Sequence, residues 1–422
     1  MDELALYNSI LNFVNQIIPK NTSLPKYKFI YEGFLGVFIS TTLIITEIVR
    51  AISDVEDFKA TYKRIDRNLN QYSIIELQNK ASLNNFKELT KDDIIAIDLG
   101  DITKPHAEKM ENIGKVADGS DGHKIKNGYW LLGSAAININ SQEKTPLPLW
   151  LEIFSTHEIS HKSENSKIIS LLDKISFVHG NKNFDERPTV VIDRGGDRGV
   201  LLKHFIQINI PFVIRLCSRH LTEVETGEII KIGKREIERD FLPYEATIKR
   251  IENTNKTEKF EFRFDYKKVN VTALKTKNEF FLITVWRKNS KKPIELMTNK
   301  LIQNNDDAIK IIISYLSRWC VEELYKYLKG NGLEKVRALN YFAIKNLIAL
   351  CFLCSVFIAR KIRFDQEFIP VIRRSIQVLK KHSRDLFNWL SQGGKACSAL
   401  LKKIVRRAKF IHKRINFFAQ LK

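Results

Sequence analysis

Cysteine is scarce in this chain, and its distribution argues against a disulfide-stabilised secreted fold. The 422 residues include 5 cysteines, an odd number scattered through apolar segments. Such usage fits a reducing compartment, and the acidic start MDELALYNSILNF is unlike a secretory signal. Long hydrophobic runs are also lacking, since the apolar stretch 347–359 has 13 residues and a membrane span needs about 20. We therefore expect a cytoplasmic protein with no membrane partner.

Acidic residues are also few relative to basic ones. There are 48 Asp and Glu residues against 69 Lys and Arg, which gives a formal net charge of +21. A globular chain this basic repels itself unless a polyanion relieves the repulsion, so nucleic acid is the first partner to consider. A merely basic soluble protein is the alternative. The apolar content of 44% predicts a folded chain with a sizeable core.

One short motif suggests zinc chemistry. Residues 157–161 read HEISH, which matches the H-E-x-x-H pattern that zinc proteases carry on a single helix. Here the motif follows a strand-like run, LPLWLEIFS, and the next helix is predicted to begin near Ser163. No third histidine follows at the usual spacing. A polar connection is therefore preferred, and a zinc metalloprotease is kept as an alternative.

The middle of the chain alternates between strand and helix patterns. The order β-β-β-α-β-α-β predicts a mixed sheet, in which an antiparallel meander gains parallel neighbours through right-handed crossovers. The first and fourth strands can then be neighbours, which would bring Asp98 and Asp193 together. The predicted strands are 93–100, 128–138, 147–155, 189–195 and 211–217, and the helices between them are 163–175 and 197–209.

The flanking regions have different characters. Residues 1–90 have helical periodicity and suit either a DNA-reading domain or a packing appendage. Two-residue alternation at 244–251, 259–271 and 279–287 indicates an inserted antiparallel unit. At the C-terminus, 395–422 holds nine Lys or Arg and no acid, which predicts a basic amphipathic helix. Such a helix can bind DNA, a partner subunit or a membrane surface, and DNA or dimer contacts are preferred here.

A predicted helix at 305–330 carries the most specific constellation. Tyr315, Arg318, Glu322 and Lys329 fall on one stripe about 60° wide at helical spacing. A solvated face with an Arg318–Glu322 pair is the ordinary interpretation. If that stripe faces Asp98 and Asp193, three carboxylates would converge on a hard oxygen site for Mg²⁺ or Mn²⁺.

A family resemblance follows from these residues. The pattern Y-x2-R-x3-E-x6-K at 315–329, with AIDLGDITKP and VVIDRGGDRG before it, resembles the DDE transposases of bacterial insertion sequences. The spacings from Asp98 to Asp193 and from Asp193 to Glu322 are 95 and 129 residues, which leaves room for a β-rich insertion. The resemblance implies an α/β RNase H-like core in two parts, 91–218 and 304–362. The implied flanks are a helical DNA-binding region at 1–90, an insertion at 219–303 and a basic helical region at 363–422.

The resemblance also implies roles for single residues. Asp98, Asp193 and Glu322 would be catalytic and would hold two Mg²⁺ or Mn²⁺ ions. Tyr315, Arg318 and Lys329 would hold the phosphates of the transposon end. The implied reaction cleaves the element's ends by metal-dependent hydrolysis and joins the freed 3′-OH to target DNA by transesterification. The implied partners are double-stranded DNA, from the transposon ends and the target, and a second copy of the chain in a homodimer.

Several alternatives stay open from the sequence. Asp101 and Asp197 are rivals of Asp98 and Asp193, which are preferred because each directly follows an apolar run. Trp286 is the one tryptophan in the predicted insertion, where some relatives use a tryptophan to capture a flipped base, although core packing is the simpler interpretation. Another RNase H-like nuclease, such as a junction resolvase, or an inactive DNA-binding relative would share much of the pattern.

Overall fold

The structure, a computed structural model, describes most of the chain outside the C-terminal region. The described residues are 3–118, 121–122, 124–141, 145–233, 240, 242–251, 257–272, 278–288, 290–364, 395, 398–399 and 402. The predicted basic helix at 395–422 therefore lies almost wholly outside the described residues, as does most of the predicted region 363–422.

Within the described residues, a mixed α/β fold is built on a twelve-stranded sheet of parallel and antiparallel strands. The sheet order is β2-β3-β1-β5-β6-β12-β11-β10-β7-β8, with β4 paired to β3 and β9 paired to β10. The strands are β1 Asp93–Thr103, β2 Gly114–Asp118, β3 Lys124–Asn138, β4 Leu147–Phe154, β5 Thr189–Ile192, β6 Phe212–Arg215, β7 His220–Glu223, β8 Ile229–Lys231, β9 Tyr244–Ile251, β10 Thr257–Val271, β11 Glu279–Arg287 and β12 Ile294–Thr298.

The first half of the sheet has the predicted topology. β3 is antiparallel to both β1 and β4, whereas β1 and β5 are parallel, as are β5 and β6. The predicted neighbourhood of the first and fourth strands is thus confirmed. The short β2 was not predicted, and it extends the sheet by pairing with the start of β3.

The second half of the sheet is antiparallel and continuous with the first. β12 pairs with β6, β11 with β12, and β10 with β11. The alternating segments predicted as strands correspond to β9, β10 and β11. β7, β8 and β12 were missed, because strands of three to five residues show too few alternations to be recognised.

Helices flank the sheet and precede it. The helices are α1 Glu3–Ile17, α2 Leu24–Ser40, α3 Ile45–Ile52, α4 Phe58–Gln71, α5 Ile75–Lys87, α6 Glu164–His179, α7 Gly199–Ile208, α8 Asn305–Leu316, α9 Cys320–Gly330 and α10 Tyr341–Phe364. The predicted start of a helix near Ser163 is confirmed by α6, which Ser163 caps by accepting the backbone N–H of Ser166 at 3.1 Å. The prediction of one helix at 305–330 is wrong, because a 3-10 turn at Ser317–Trp319 separates α8 from α9.

The N-terminal helices and α10 share one apolar core with the sheet. The cluster contains Ile10 of α1, Phe34 of α2, Leu131 of β3 and Phe357 of α10. The helix α10 has 24 residues, longer than its apolar run suggested, and by length and composition alone it could cross a membrane. The bent pair of α2 and α3 passes the same test as one broken span. However, 89% of the most apolar window of α10 is buried inside the fold, as in the core helix of a soluble protein.

Candidate active site

Two neighbouring strands bring the first two predicted acids side by side. The parallel register of β1 and β5 pairs Ile97 with Ile192. The next residue along each chain is an aspartate, Asp98 within β1 and Asp193 directly after β5. The residues that precede them in both strands are buried. The two carboxylates therefore mark the point at which the parallel pair leaves the core.

The third acid comes from the helical segment that lies across β1, β3, β5 and β6. The Asn304 side chain caps α8 by accepting the backbone N–H of Asp307 at 3.1 Å. After the 3-10 turn, α9 carries Glu322 in its first turn. The apolar side of this segment rests on β1 and β5 in a cluster that includes Ala96, Val191, Ile311, Cys320 and Val321.

The three acids surround one guanidinium group, that of Arg318. Its Nη2 donates to Glu322 Oε1 at 2.9 Å, while its nitrogens lie 3.7 Å from Asp98 Oδ2 and 3.9 Å from Asp193 Oδ2. The Arg318 side chain is 16% exposed, whereas that of Glu322 is 47% exposed. Solvent therefore reaches the carboxylates more readily than the cation that they share.

A hydroxyl and a second guanidinium complete the surroundings of Asp193. Tyr315 Oη donates to Asp193 Oδ1 at 3.0 Å. Arg215, the last residue of β6, lies 3.6 Å from the same oxygen and donates to Tyr315 Oη at 3.3 Å. Arg215 was not predicted as a site residue, although a charged residue within the apolar run PFVIRLC was a signal for it.

The two aspartates differ in their electrostatic surroundings. Burial raises the pKa of Asp98 to about 6, and the nearby Asp193 and Glu322 add to that rise, against the lowering effects of Arg318 and the Leu99 backbone N–H. Burial also acts to raise the pKa of Asp193, but the Arg194 backbone N–H, Arg318, Tyr315 and Arg215 together leave it below its usual value. Adjacent carboxylates with divergent pKa values are common at functional sites.

Tyr325 fastens α9 to the strand that carries Asp98. Its hydroxyl donates to the Asp98 backbone carbonyl at 2.7 Å. Its ring fits over Gly100 and Gly133, and a Cβ at Gly133 would come within 2.6 Å of the Tyr325 hydroxyl. Burial raises the pKa of Tyr325 well above its usual value, which keeps the hydroxyl protonated as a donor. The sequence pattern did not indicate this role, because a hydrogen bond to a backbone carbonyl has no spacing signature.

The geometry separates the rival aspartates from the preferred ones. Asp197 has a fully buried carboxylate that accepts the backbone N–H of Cys217 at 2.9 Å and the Arg219 Nε–H at 2.6 Å, so it holds the turn after β6. Asp101 lies three residues beyond Asp98 in the same extended strand, and strand alternation directs it to the opposite face. The cluster around Arg318 includes Asp98 and Asp193 but neither rival.

Two other predicted residues lie apart from the acids. Lys329 sits in the last turn of α9 and forms an ion pair with Glu334 at 3.0 Å. Trp286 lies on β11, and its indole N–H donates to the Ser290 carbonyl at 3.0 Å. Of the six residues predicted for the site, five therefore come together, and Lys329 does not join their contacts.

The HEISH segment is a turn. Residues 156–160 are non-helical, which places them between β4 and α6 as predicted and removes the helix that a zinc protease needs. The Glu158 carboxylate accepts the hydroxyl of Tyr341 and pairs with Lys345 at 3.2 Å. His161 stacks on Phe154 with ring centroids 5.7 Å apart. The helix that carries a metalloprotease zinc motif is therefore not formed here, and the segment links β4 to α6 along the chain while its side chains contact β4 and α10.

The donor set of the acid cluster suits a hard divalent cation. Asp98, Asp193 and Glu322 supply carboxylate oxygens, which Mg²⁺ and Mn²⁺ prefer. As arranged, the oxygens are spread around Arg318, and within the described ranges no group of three or more His, Cys, Asp or Glu forms a preformed metal site. The donor chemistry therefore fits a metal ion, provided that the guanidinium moves aside.

The arrangement offers negative charge for metal ions beside two arginines for anions, which is what phosphate-ester chemistry requires. In comparisons with known proteins, no family model matches this chain and no curated protein is significantly similar to it. A function for this chain is therefore inferred from its residues and their geometry.

Proposed function

We propose that this chain is a DNA transposase of the DDE type, which cleaves the ends of its element and joins the 3′-OH ends to target DNA. The observation that carries the proposal is the convergence of Asp98, Asp193 and Glu322. These acids come from two strands and a helix far apart in the sequence, yet all three lie within 4 Å of one guanidinium.

The strand order supports an RNase H-like core as the finer fold. The order β4-β3-β1-β5-β6, antiparallel for the first three strands and parallel from β1 onward, is the one expected for that core. The strands β7–β12 follow β6 and precede α8, which is the position expected for the β-rich insertion. The glutamate then follows the insertion, as the resemblance requires.

The acids would hold two Mg²⁺ or Mn²⁺ ions, which supply activation of the attacking oxygen and stabilisation of the leaving oxygen. Hydrolysis forms a bond from water oxygen to phosphorus and breaks the P–O3′ bond, leaving a 3′-OH. In strand transfer that hydroxyl attacks a target phosphorus, and the target's own O3′ leaves. Arg318 and Arg215 would hold phosphate oxygens, and Tyr315 would keep Asp193 in place as a hydrogen-bond donor.

Double-stranded DNA is the proposed partner, in agreement with the net charge of +21. Two ends must be joined in one event, so we propose that the active form is a homodimer holding both ends, in the cytoplasm. Arg318 and Arg215 would supply the phosphate contacts nearest the acids, while the Tyr315 hydroxyl stays on Asp193. Lys329 lies farther along α9 and would contact DNA outside the immediate cluster.

The test uses purified protein, Mg²⁺ and labelled DNA that carries the inverted repeats flanking the gene. We expect 3′-end cleavage and joined products from the unaltered chain, and losses of at least about a hundredfold in Glu322→Ala and Glu322→Gln. Glu279→Gln is the matched control, because this acid is as exposed as Glu322 and pairs with Lys268 in the second half of the sheet. Cleavage at the full rate in Glu322→Ala would refute the site.

The products also separate the alternative functions. Cleavage without joining would indicate another RNase H-like nuclease. Specific binding of the repeats without cleavage would indicate an inactive relative. Failure to bind DNA at physiological salt would contradict the proposed partner.

A further inference from the structure

Arg318 occupies the position between the acids where a metal ion would be expected. Among the described residues, its guanidinium is the nearest cation to Asp98 and Glu322, at 3.7 and 2.9 Å, and it also approaches Asp193 at 3.9 Å. A positive charge so placed offsets the mutual repulsion of three carboxylates in a poorly solvated site. The same charge also repels an incoming divalent cation.

The two arginines and two divalent metal ions cannot all stay beside the three acids, because the site would then carry an excess of positive charge. Three carboxylates and the guanidinium groups of Arg318 and Arg215 sum to one negative charge when all are ionised. Two divalent cations would bring the sum to three positive charges, which a partly buried site does not sustain without further anions. DNA phosphates are the anions that the proposed function supplies.

We propose that Arg318 is an internal counter-cation that a DNA phosphate draws away from the acids, so that metal binding is coupled to DNA binding. The inference rests on the proposed function and deepens it. In the free protein the guanidinium stabilises the acids and lowers their affinity for metal ions. When DNA binds, the same guanidinium turns to a phosphate and releases the carboxylates. Metal-dependent cleavage is thereby suppressed until a substrate is in place.

The local structure allows this movement. Arg318 lies in the 3-10 turn between α8 and α9, and just one of its three acid contacts is within hydrogen-bond distance. Its partner in that contact, Glu322, is half-exposed. The guanidinium can therefore turn about its own side-chain torsions while Tyr325 keeps α9 fixed to β1. Arg215 stays on Asp193 and Tyr315 and does not need to move.

The test measures Mn²⁺ affinity in the absence of DNA. Free Mn²⁺ is quantified by its electron paramagnetic resonance signal at fixed pH and ionic strength. We expect Arg318→Met, which keeps the length of the side chain without its charge, to bind Mn²⁺ at least about tenfold more tightly than the unaltered chain. Arg318→Lys should stay close to the unaltered chain. Arg263→Met is the control, because Arg263 pairs with Glu245 and Asp240 in the second half of the sheet.

A second arm adds a short DNA duplex of arbitrary sequence and subtracts the Mn²⁺ bound by the duplex alone. DNA should raise the Mn²⁺ affinity of the unaltered chain at least about tenfold and should leave that of Arg318→Met unchanged, because coupling between two ligands is reciprocal and passes through this residue. The DNA arm on the unaltered chain alone still tests the coupling if Arg318→Met fails to fold.

The outcomes distinguish this inference from the proposed function. Equal or weaker Mn²⁺ binding by Arg318→Met, or no effect of DNA on the unaltered chain, would overturn the coupling. Asp98→Asn in the Arg318→Met background should abolish the tight binding. If it does not, the acids are not the metal site and the proposed function fails as well.

Discussion

Gly133 is the position at which a single methyl group should disturb the candidate site. It pairs with Asp98 across β1 and β3, and Tyr325 lies directly over it. A Cβ built there would approach the Tyr325 hydroxyl at 2.6 Å and two ring carbons at 2.7 and 2.8 Å. These separations are well inside van der Waals contact, so either the ring or the strand must shift. The ring cannot shift freely, because its hydroxyl is bonded to the Asp98 carbonyl.

The expected cost of Gly133→Ala combines two opposing effects. Overpacking of a tight contact typically costs about 1–3 kcal/mol, and displacing Tyr325 weakens a hydrogen bond worth about 1 kcal/mol. Alanine is favoured over glycine within a strand by roughly 0.5–1 kcal/mol. We therefore expect the free energy of unfolding to fall by about 2 kcal/mol, measured by urea denaturation.

A double-mutant cycle isolates the contact between Gly133 and Tyr325. In a Tyr325→Leu background the ring is gone, so Gly133→Ala should cost nothing or stabilise slightly, which gives a coupling energy of about 2 kcal/mol. Gly199→Ala is the control, because a Cβ there meets nothing within 4 Å and lies at the start of α7. Equal costs of Gly133→Ala in both backgrounds would refute the packing argument.

Three further predictions follow from other parts of the molecule. Burial, together with the nearby Lys182 and Arg187 cations, lowers the pKa of the buried His179 to about 4 from a usual 6.5. As the pH falls, His179 therefore gains its proton in the unfolded chain before it does so in the folded chain. The contribution of His179 to the free energy of unfolding is complete above pH 6.5 and declines by up to about 3 kcal/mol towards pH 4. His179→Met should remove that decline in denaturation curves between pH 7 and 4.5, whereas His106→Met, at an exposed position, should not; an identical pH dependence in all three proteins would contradict the shift. Arg215→Ala should slow Mg²⁺-dependent DNA cleavage roughly tenfold, because it removes a charge-assisted contact to Asp193. Lys329→Ala, outside the cluster, should slow cleavage less, and a larger loss in Lys329→Ala than in Arg215→Ala would show that Lys329 acts closer to the reacting phosphate. Replacing His157 and His161 together by Ala should leave cleavage largely intact and independent of zinc, and a zinc requirement would restore a catalytic reading of HEISH.

The sheet was predictable where strands are continuous runs of buried apolar residues, whatever their length. The runs before Asp98 and Asp193 are continuous apolar segments, which is typical of parallel strands covered on both faces, and their neighbourhood followed from connection rules. The strands β7, β8 and β12 lack such a run and were not predicted. β12 has five residues, yet it joins the two halves of the sheet through its pairing with β6. That pairing is a long-range contact that no local pattern encodes.

The site was predicted for most of its residues, and the exceptions have physical causes. Tyr325 and Arg215 act through a backbone carbonyl and through another residue's carboxylate, and such contacts leave no spacing signature. Asp98 and Asp193 could be preferred over Asp101 and Asp197 from the sequence, because a residue directly after a buried run is the first that can be polar. Why Asp197 is buried could not be anticipated, since its role is to hold a turn that forms after the strand.

The helical stripe explains both the success and the failure at 315–329. A helical wheel shows the angle of each residue around the helix axis but not its position along that axis. The chain is wound more tightly in the 3-10 turn than in an α-helix, so side chains three residues apart lie almost directly above one another. Tyr315 and Arg318 are three residues apart, and both therefore still face Asp193. Lys329 keeps a suitable angle relative to Glu322 but lies seven residues on, about 10 Å farther along α9. Two residues on the same face of a helix are not in contact when they are that far apart along its axis. The same height difference gives Lys329 room to meet Glu334, and it leaves Arg318 as the cation that the three acids share.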